Sequence, residues 1–281
     1  ILIGLFLLAG APIVVQNSLD PVLESLLVVV EERPQFLSGI TLFTFFYPLW
    51  RALAFIAGMT LLVISPAIYK GERWTFPVML TAYAFPSIGG MFMFLPFISW
   101  VEDAFPLPLI VTGFGLLGYW TTIWLRKAER MQKLADFVVL TLIGVLATHS
   151  FVLGVGASRM LMTRPGKPLY ESAEWWILTM IGDICWLGAA MLIASIPLLA
   201  LRKRAGWYTA LIAALSILAI DAPTQVIRTS TYDYLYGSLL AGALIVFLLL
   251  PAFKRRLVAG AGAGPPPAEA APLVQRTPQA G

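Results

Sequence analysis

The sequence predicts an all-α fold: a polytopic membrane helix bundle of about eight transmembrane helices. Three observations predict it. Apolar residues make up 59% of the chain and charged residues only 12%. An average soluble domain carries about 25% charged residues, so this chain cannot cover a water-facing surface. Apolar runs approaching the ~20 residues that a spanning helix needs recur throughout residues 1–253. Short segments rich in charge, proline or glycine separate them.

The spans are read in order as 1–15, 47–69, 75–99, 108–125, 135–156, 174–200, 207–227 and 234–253. The first, "ILIGLFLLAGAPIVV", carries no charge and reads as a truncated transmembrane helix, because no signal-cleavage site follows Val15. Residues 16–46 form the longest segment outside a span. Their "SLDPVLESLLVVVEERPQFL" opens on Ser-x-Asp-Pro and ends in Glu31 and Glu32, as expected for a short amphipathic helix on the outer surface or against a partner. "KGERW" (70–74) closes the second span, and the acidic, proline-rich "WVEDAFPLP" (100–108) closes the third. "RKAERMQK" (126–133), "SRMLMTRPGKPLYES" (158–172) and "RKRAG" (202–206) close the next three. Beyond the eighth span, residues 254–281 are rich in Ala, Gly and Pro and read as a disordered cytoplasmic tail.

Lysine and arginine accumulate in cytoplasmic loops. With the N-terminus inside, 13 of the 19 basic residues fall in the inner segments 70–74, 126–133, 202–206 and 254–281. Asp20, Glu24, Glu31, Glu32, Glu102, Asp103, Glu171 and Glu174 fall outside. The expectation is a cell-membrane protein with both termini cytoplasmic and acidic loops outside. Tryptophan and tyrosine mark membrane interfaces. Trp74, Trp120, Trp124, Trp207 and Tyr208 are read as the inner belt. Trp50, Trp100, Tyr170, Trp175, Trp176, Tyr232 and Tyr234 are read as the outer belt.

Eight spans divide into two sets of four, with halves at 1–133 and 134–257. Pro66, a basic turn and Trp74 in the first half match Pro197, a basic turn and Trp207 in the second, and both following helices carry a late proline, Pro86 and Pro223. Such a 4+4 repeat would be parallel, as in some transporters. The offsets differ between the pairs, so resemblance among apolar helices also accounts for the match.

Charged groups inside a bilayer are costly and face a bundle interior or a cavity. The candidates are His149, Asp183 and Asp221, each about 9–13 Å below the outer surface at 1.5 Å per residue. His149 and Asp183 lie on consecutive antiparallel spans, where they are placed to pair. Pro223 removes a backbone hydrogen bond and frees a carbonyl near Asp221, Thr224 and Gln225. Arg51 and Arg228 lie nearer the outer surface, where their stems can snorkel. Each group has a plainer role as well, satisfying a neighbouring carbonyl or hydroxyl and locking helix packing.

Other chemistry is narrowly bounded. The single cysteine, Cys185, excludes an internal disulfide and a thiolate metal cluster, and the single histidine, His149, excludes a bis-histidine haem within one chain. No metal site is expected, and nothing names a cofactor. Basic residues are scattered, not gathered in a nucleic-acid-binding patch. The expected surroundings are the lipid bilayer and membrane partner subunits. Two function classes follow. One is a non-enzymatic accessory subunit or small transporter with an outer-half polar cluster. The alternative is an intramembrane enzyme acting on a lipid or lipid-linked substrate from the outer leaflet. An inner half without polar groups favours the accessory role.

Overall fold

Arg33 and Pro34 set the first turn. A proline pushes the preceding residue out of the helical region, and Arg33 sits at φ −133° and ψ 78°. A computed structural model describes residues 1–162 and 173–258, without the side chains at 173–176 and 178. In it, α1 runs over Leu2–Glu32, with one π-helical turn at Phe6–Gly10, and α2 runs over Leu37–Val63. This corrects three expectations: the clipped span at 1–15, the surface segment at 16–46 and the second span at 47–69. Residues 16–46 complete α1 and open α2. Asp20-Pro21 resembles a helix start, yet Pro21 lies inside α1. Helices packed among neighbours tolerate such a proline because surrounding groups satisfy the freed backbone. Close approach fixes the hairpin: a Cβ on Gly58 would sit 2.7 Å from the Gly4 carbonyl oxygen.

A short helix, Ser65–Tyr69, and a turn with Gly71 at φ 71° lead to α3, Thr75–Trp100. Then come α4 (Pro108–Leu125), α5 (Arg130–Met162), α6 (Ala173–Ala200), α7 (Arg204–Ile227) and α8 (Asp233–Leu249). α9, Pro251–Leu257, follows at a bend of 77°. Among the described residues, seven helices are long and apolar enough to cross a membrane, and α8 with α9 makes an eighth if the bent pair is one span. Together they form an all-α, multi-pass bundle.

The turns around 70–74, 126–129 and 202–203 gather at one end, called here the basic end. Arg256 reaches Glu129 there at 3.9 Å. The turns around Arg33, 101–107 and 228–232 lie at the opposite, acidic end. α9 shortens the expected tail, since Leu257 and Val258 are buried at the basic end. The segment 163–172, the chain from 259 onward, and the roles expected for Tyr170, Trp175 and Trp176 lie outside the described residues.

Three expected interface anchors belong to the core instead. Trp50, Trp207 and Tyr234 are buried, and Trp207 donates to the Leu248 carbonyl at 2.9 Å. Apolar protein surface was available to cover them, which period alone does not reveal. Trp74, Trp124, Tyr208 and Tyr232 are exposed. The residues that suggested a repeat also differ in setting. Pro66 starts a separate short helix whereas Pro197 lies within α6, and Trp74 is exposed whereas Trp207 is buried.

Candidate functional site

Four helices meet at one point near the acidic end. Asp221 and Thr224 share the buried face of α7, both at 0% exposure, because residues three apart lie on one side of a helix. Asp221 Oδ1 accepts from the Cys185 thiol of α6 at 3.7 Å. Its Oδ2 has no hydrogen-bond partner among the described residues and presses on Gly237 of α8, where any Cβ would collide with it. The His149 Cδ2 of α5 lies 3.3 Å from that same Cβ position. His149 Nε2 lies 2.8 Å from the Asp233 carbonyl oxygen, at the start of α8. A carbonyl only accepts, so Nε2 carries the hydrogen and, in the neutral ring, Nδ1 keeps its lone pair.

The other sequence candidates serve separate contacts. Gln225 laces the α7–α8 turn, donating to the Thr231 carbonyl at 2.8 Å and the Arg228 carbonyl at 3.2 Å while accepting from the Leu235 amide at 2.8 Å. Arg228 contacts Met160 Sδ at 2.6 Å and lies 5.9 Å from the Tyr234 ring centroid. Thr224 gives its hydroxyl to the Ile220 carbonyl at 2.6 Å. Asp221, Thr224 and Gln225 therefore do not pool their oxygens beside Pro223. Arg51 stands apart on α2, donating to Gln16 at 2.7 Å, and Gln16 donates to Asp20 at 2.6 Å. Asp183 is exposed on the outside of α6 and does not pair with His149. Cys185, two residues further on, faces inward, because residues two apart point to different helix faces.

The sequence reading missed a second buried polar group. At the basic end, Asp136 is 4% exposed. It accepts from Gln132 at 2.9 Å and forms an ion pair with Arg126, whose guanidinium lies 4.2 Å from the Phe76 ring centroid. The expectation of an inner half without polar groups is thereby corrected. The available signal was Gln132 and Asp136 at i, i+4, one turn apart on one face.

Beside His149 lies a groove of about 490 Å³, within the roughly 300–1,000 Å³ of small-molecule sites. Its walls come from α3 (Ile88, Met91), α4 (Leu116, Tyr119) and α5 (Gly144, His149). The groove exists because α4 is drawn onto α3. A Cβ on Gly90 would meet Thr112 Oγ1 at 2.5 Å, and one on Gly115 would meet the Ser87 nitrogen at 2.6 Å. α4 joins α5 lower down, through the Tyr119 hydroxyl to the Leu140 carbonyl and the Trp120 indole to Thr141, both at 3.2 Å.

Among the described residues, no three His, Cys, Asp or Glu side chains are grouped to hold a metal ion. No known protein family matches the chain, and no curated protein or solved structure is significantly similar to it.

Proposed function

We propose that the protein is a non-enzymatic accessory subunit of the cell membrane that docks a second membrane protein along α6. Its basic end faces the cytoplasm and its acidic end faces outward. One observation carries this reading: Asp183 is exposed on the bundle exterior within the apolar stretch Thr179–Ala200. It lies ten residues, about 15 Å at 1.5 Å per residue, from the start of α6 at Ala173. An aspartate at a helix centre costs about 2.5–3.5 kcal/mol on insertion scales, and its short side chain cannot snorkel as lysine does. Lipid tails offer it no donor. The exposed face continues through Leu187, Ala190 and Ala194. Small residues at this spacing let a second helix approach closely. The complementary occupant is a partner transmembrane helix with an Arg, Lys or Gln side chain at the depth of Asp183.

The enzymatic reading has less support. Among the described residues, the groove beside His149 is lined by no carboxylate and by no arginine or lysine to pair with a phosphate. Asp221 is fully enclosed and lines no aqueous route for transport.

Cross-linking tests the docking. Cys185 is fully buried, so a Leu187→Cys variant in native membranes presents one accessible thiol for a benzophenone maleimide. The expected product is a heteromeric adduct of discrete mass, kept in an Asp183→Asn background and lost in Asp183→Leu. Adducts with lipid alone, adducts with a second copy of this chain, or an adduct indifferent to Asp183→Leu would each refute the reading.

A further inference from the structure

We infer that the groove between α3, α4, α5 and α8 binds a single-tailed amphiphile whose hydroxyl head donates to Nδ1 of His149. The shape comes first. The groove holds 490 Å³, within the roughly 300–1,000 Å³ of small-molecule sites. From Leu140 to His149 it follows nine residues of α5, about 13 Å at 1.5 Å per residue. It opens on the bundle's side, with Met91, Trp120 and Val145 at its exposed rim. A ligand reaches it laterally from the bilayer.

The lining specifies an apolar body. Four of the five wall hydroxyls already donate to the backbone. Ser87 donates to Tyr83 at 2.7 Å, Thr148 to Gly144 at 2.9 Å, Thr112 to Pro108 at 3.2 Å and Tyr119 to Leu140 at 3.2 Å. The fifth, on Thr141 at the basic-end limit of the groove, accepts from the Trp120 indole at 3.2 Å. His149 supplies an uncommitted acceptor instead and sits at the acidic-end limit of the groove. Its Nε2–Cδ2 edge is taken up by the Asp233 carbonyl and the Gly237–Asp221 contact. Nδ1, on the opposite edge of the ring, has no protein partner among the described residues. A lone-pair nitrogen above an apolar trough calls for a donor on a tail. The head lies toward the acidic end and the tail toward the bilayer centre, as in a lipid of that leaflet. Ether- or ester-headed tails fill the trough without reaching the nitrogen as donors.

The full-length protein in nanodiscs, with hexadecanol bearing a mid-chain diazirine as probe, gives the test. Saturable photolabelling of α3, α4 and α5 peptides is expected. The methyl ether of the same probe should bind about fivefold more weakly, as one net hydrogen bond implies. His149→Phe should remove that difference while leaving the ether unchanged. Gly144→Leu should abolish labelling by both. A Cβ on Gly144 meets nothing within 4 Å, so this variant fills the groove without straining the fold and keeps the test decisive even where His149→Phe unfolds. Equal affinity of alcohol and ether in the wild type, labelling that never saturates, or labelling that persists in Gly144→Leu would overturn the proposal. No described α6 side chain lines the groove, so failure here is separable from failure of the α6 docking.

Discussion

Gly237→Ala tests the four-helix junction, with Gly242→Ala as its internal control. Both sit in α8, and each exchange should gain about 1 kcal/mol of helix propensity. They differ only in surroundings. A Cβ on Gly242 meets nothing within 4 Å, whereas one on Gly237 collides with Asp221 Oδ2 and lies 3.3 Å from His149 Cδ2. Asp221 has little room to retreat, being fully buried with its other oxygen on Cys185 at 3.7 Å. Overpacking of this kind costs about 1–3 kcal/mol. Propensity cancels in the comparison, so the whole difference reports the collision. At about 2–4 °C per kcal/mol for a chain of this size class, Gly237→Ala should unfold roughly 2–12 °C below Gly242→Ala. Thermal unfolding of both variants in one detergent, followed by tryptophan fluorescence, measures the gap. Adding Asp221→Ala to Gly237→Ala should recover most of the loss, since groups in contact couple. Equal unfolding temperatures for the two glycine variants would refute the junction geometry.

The basic end offers a second test. Asp136→Ala leaves Arg126 and Gln132 without their acceptor, and should cost about 3 kcal/mol, the lower end for a broken buried pair, because Arg126 is 20% exposed; thermal unfolding against Asp136→Asn, expected to lose less, checks it. Cys185 should resist maleimide in the folded protein and react fully once unfolded, and stoichiometric labelling under native conditions, read by mass shift, would contradict its enclosure between Asp221 and the core. Gly154→Ala should lower the unfolding temperature, because a Cβ there strikes the Trp186 indole, while Gly156→Ala, with open space around it, should not.

The helix count and order could be read from apolar runs because every span must satisfy its own backbone hydrogen bonds. Boundaries were legible where a charged turn intervened, as at Lys70–Trp74 and Arg202–Gly206. They failed at α1, where Gln16, Asp20 and Glu24 made the outer half of a span look like a separate surface helix. Gln16 and Asp20 are tolerated because Gln16 joins Asp20 to Arg51, a contact between residues far apart in sequence. The site was legible in the same partial way. Depth along each helix placed His149 and Asp221 at one level, since rise per residue is fixed. Rotation about the helix axis placed Asp183 outside and Cys185 inside, and an all-round apolar helix carries no pattern from which to read that rotation. Asp136 was passed over because it follows a basic loop closely enough to look like part of it.

Glycine placement governs both the junction and the groove. Lipid tails are as apolar as leucine, so membrane helices associate by close packing more than by escape from water. Where a glycine faces a neighbour, the helices close: Gly90 and Gly115 draw α4 onto α3, and Gly237 draws α8 onto Asp221. Where a glycine faces nothing, as at Gly144, a gap remains. The α3–α4 contact that closes one seam pulls α4 away from the upper part of α5, and the groove is the space this leaves. Larger residues at Gly90 or Gly115 would therefore do more than loosen one pair of helices. They would push α4 back toward α5 and reshape the wall beneath His149, so ligand capacity and helix packing should change together in such variants.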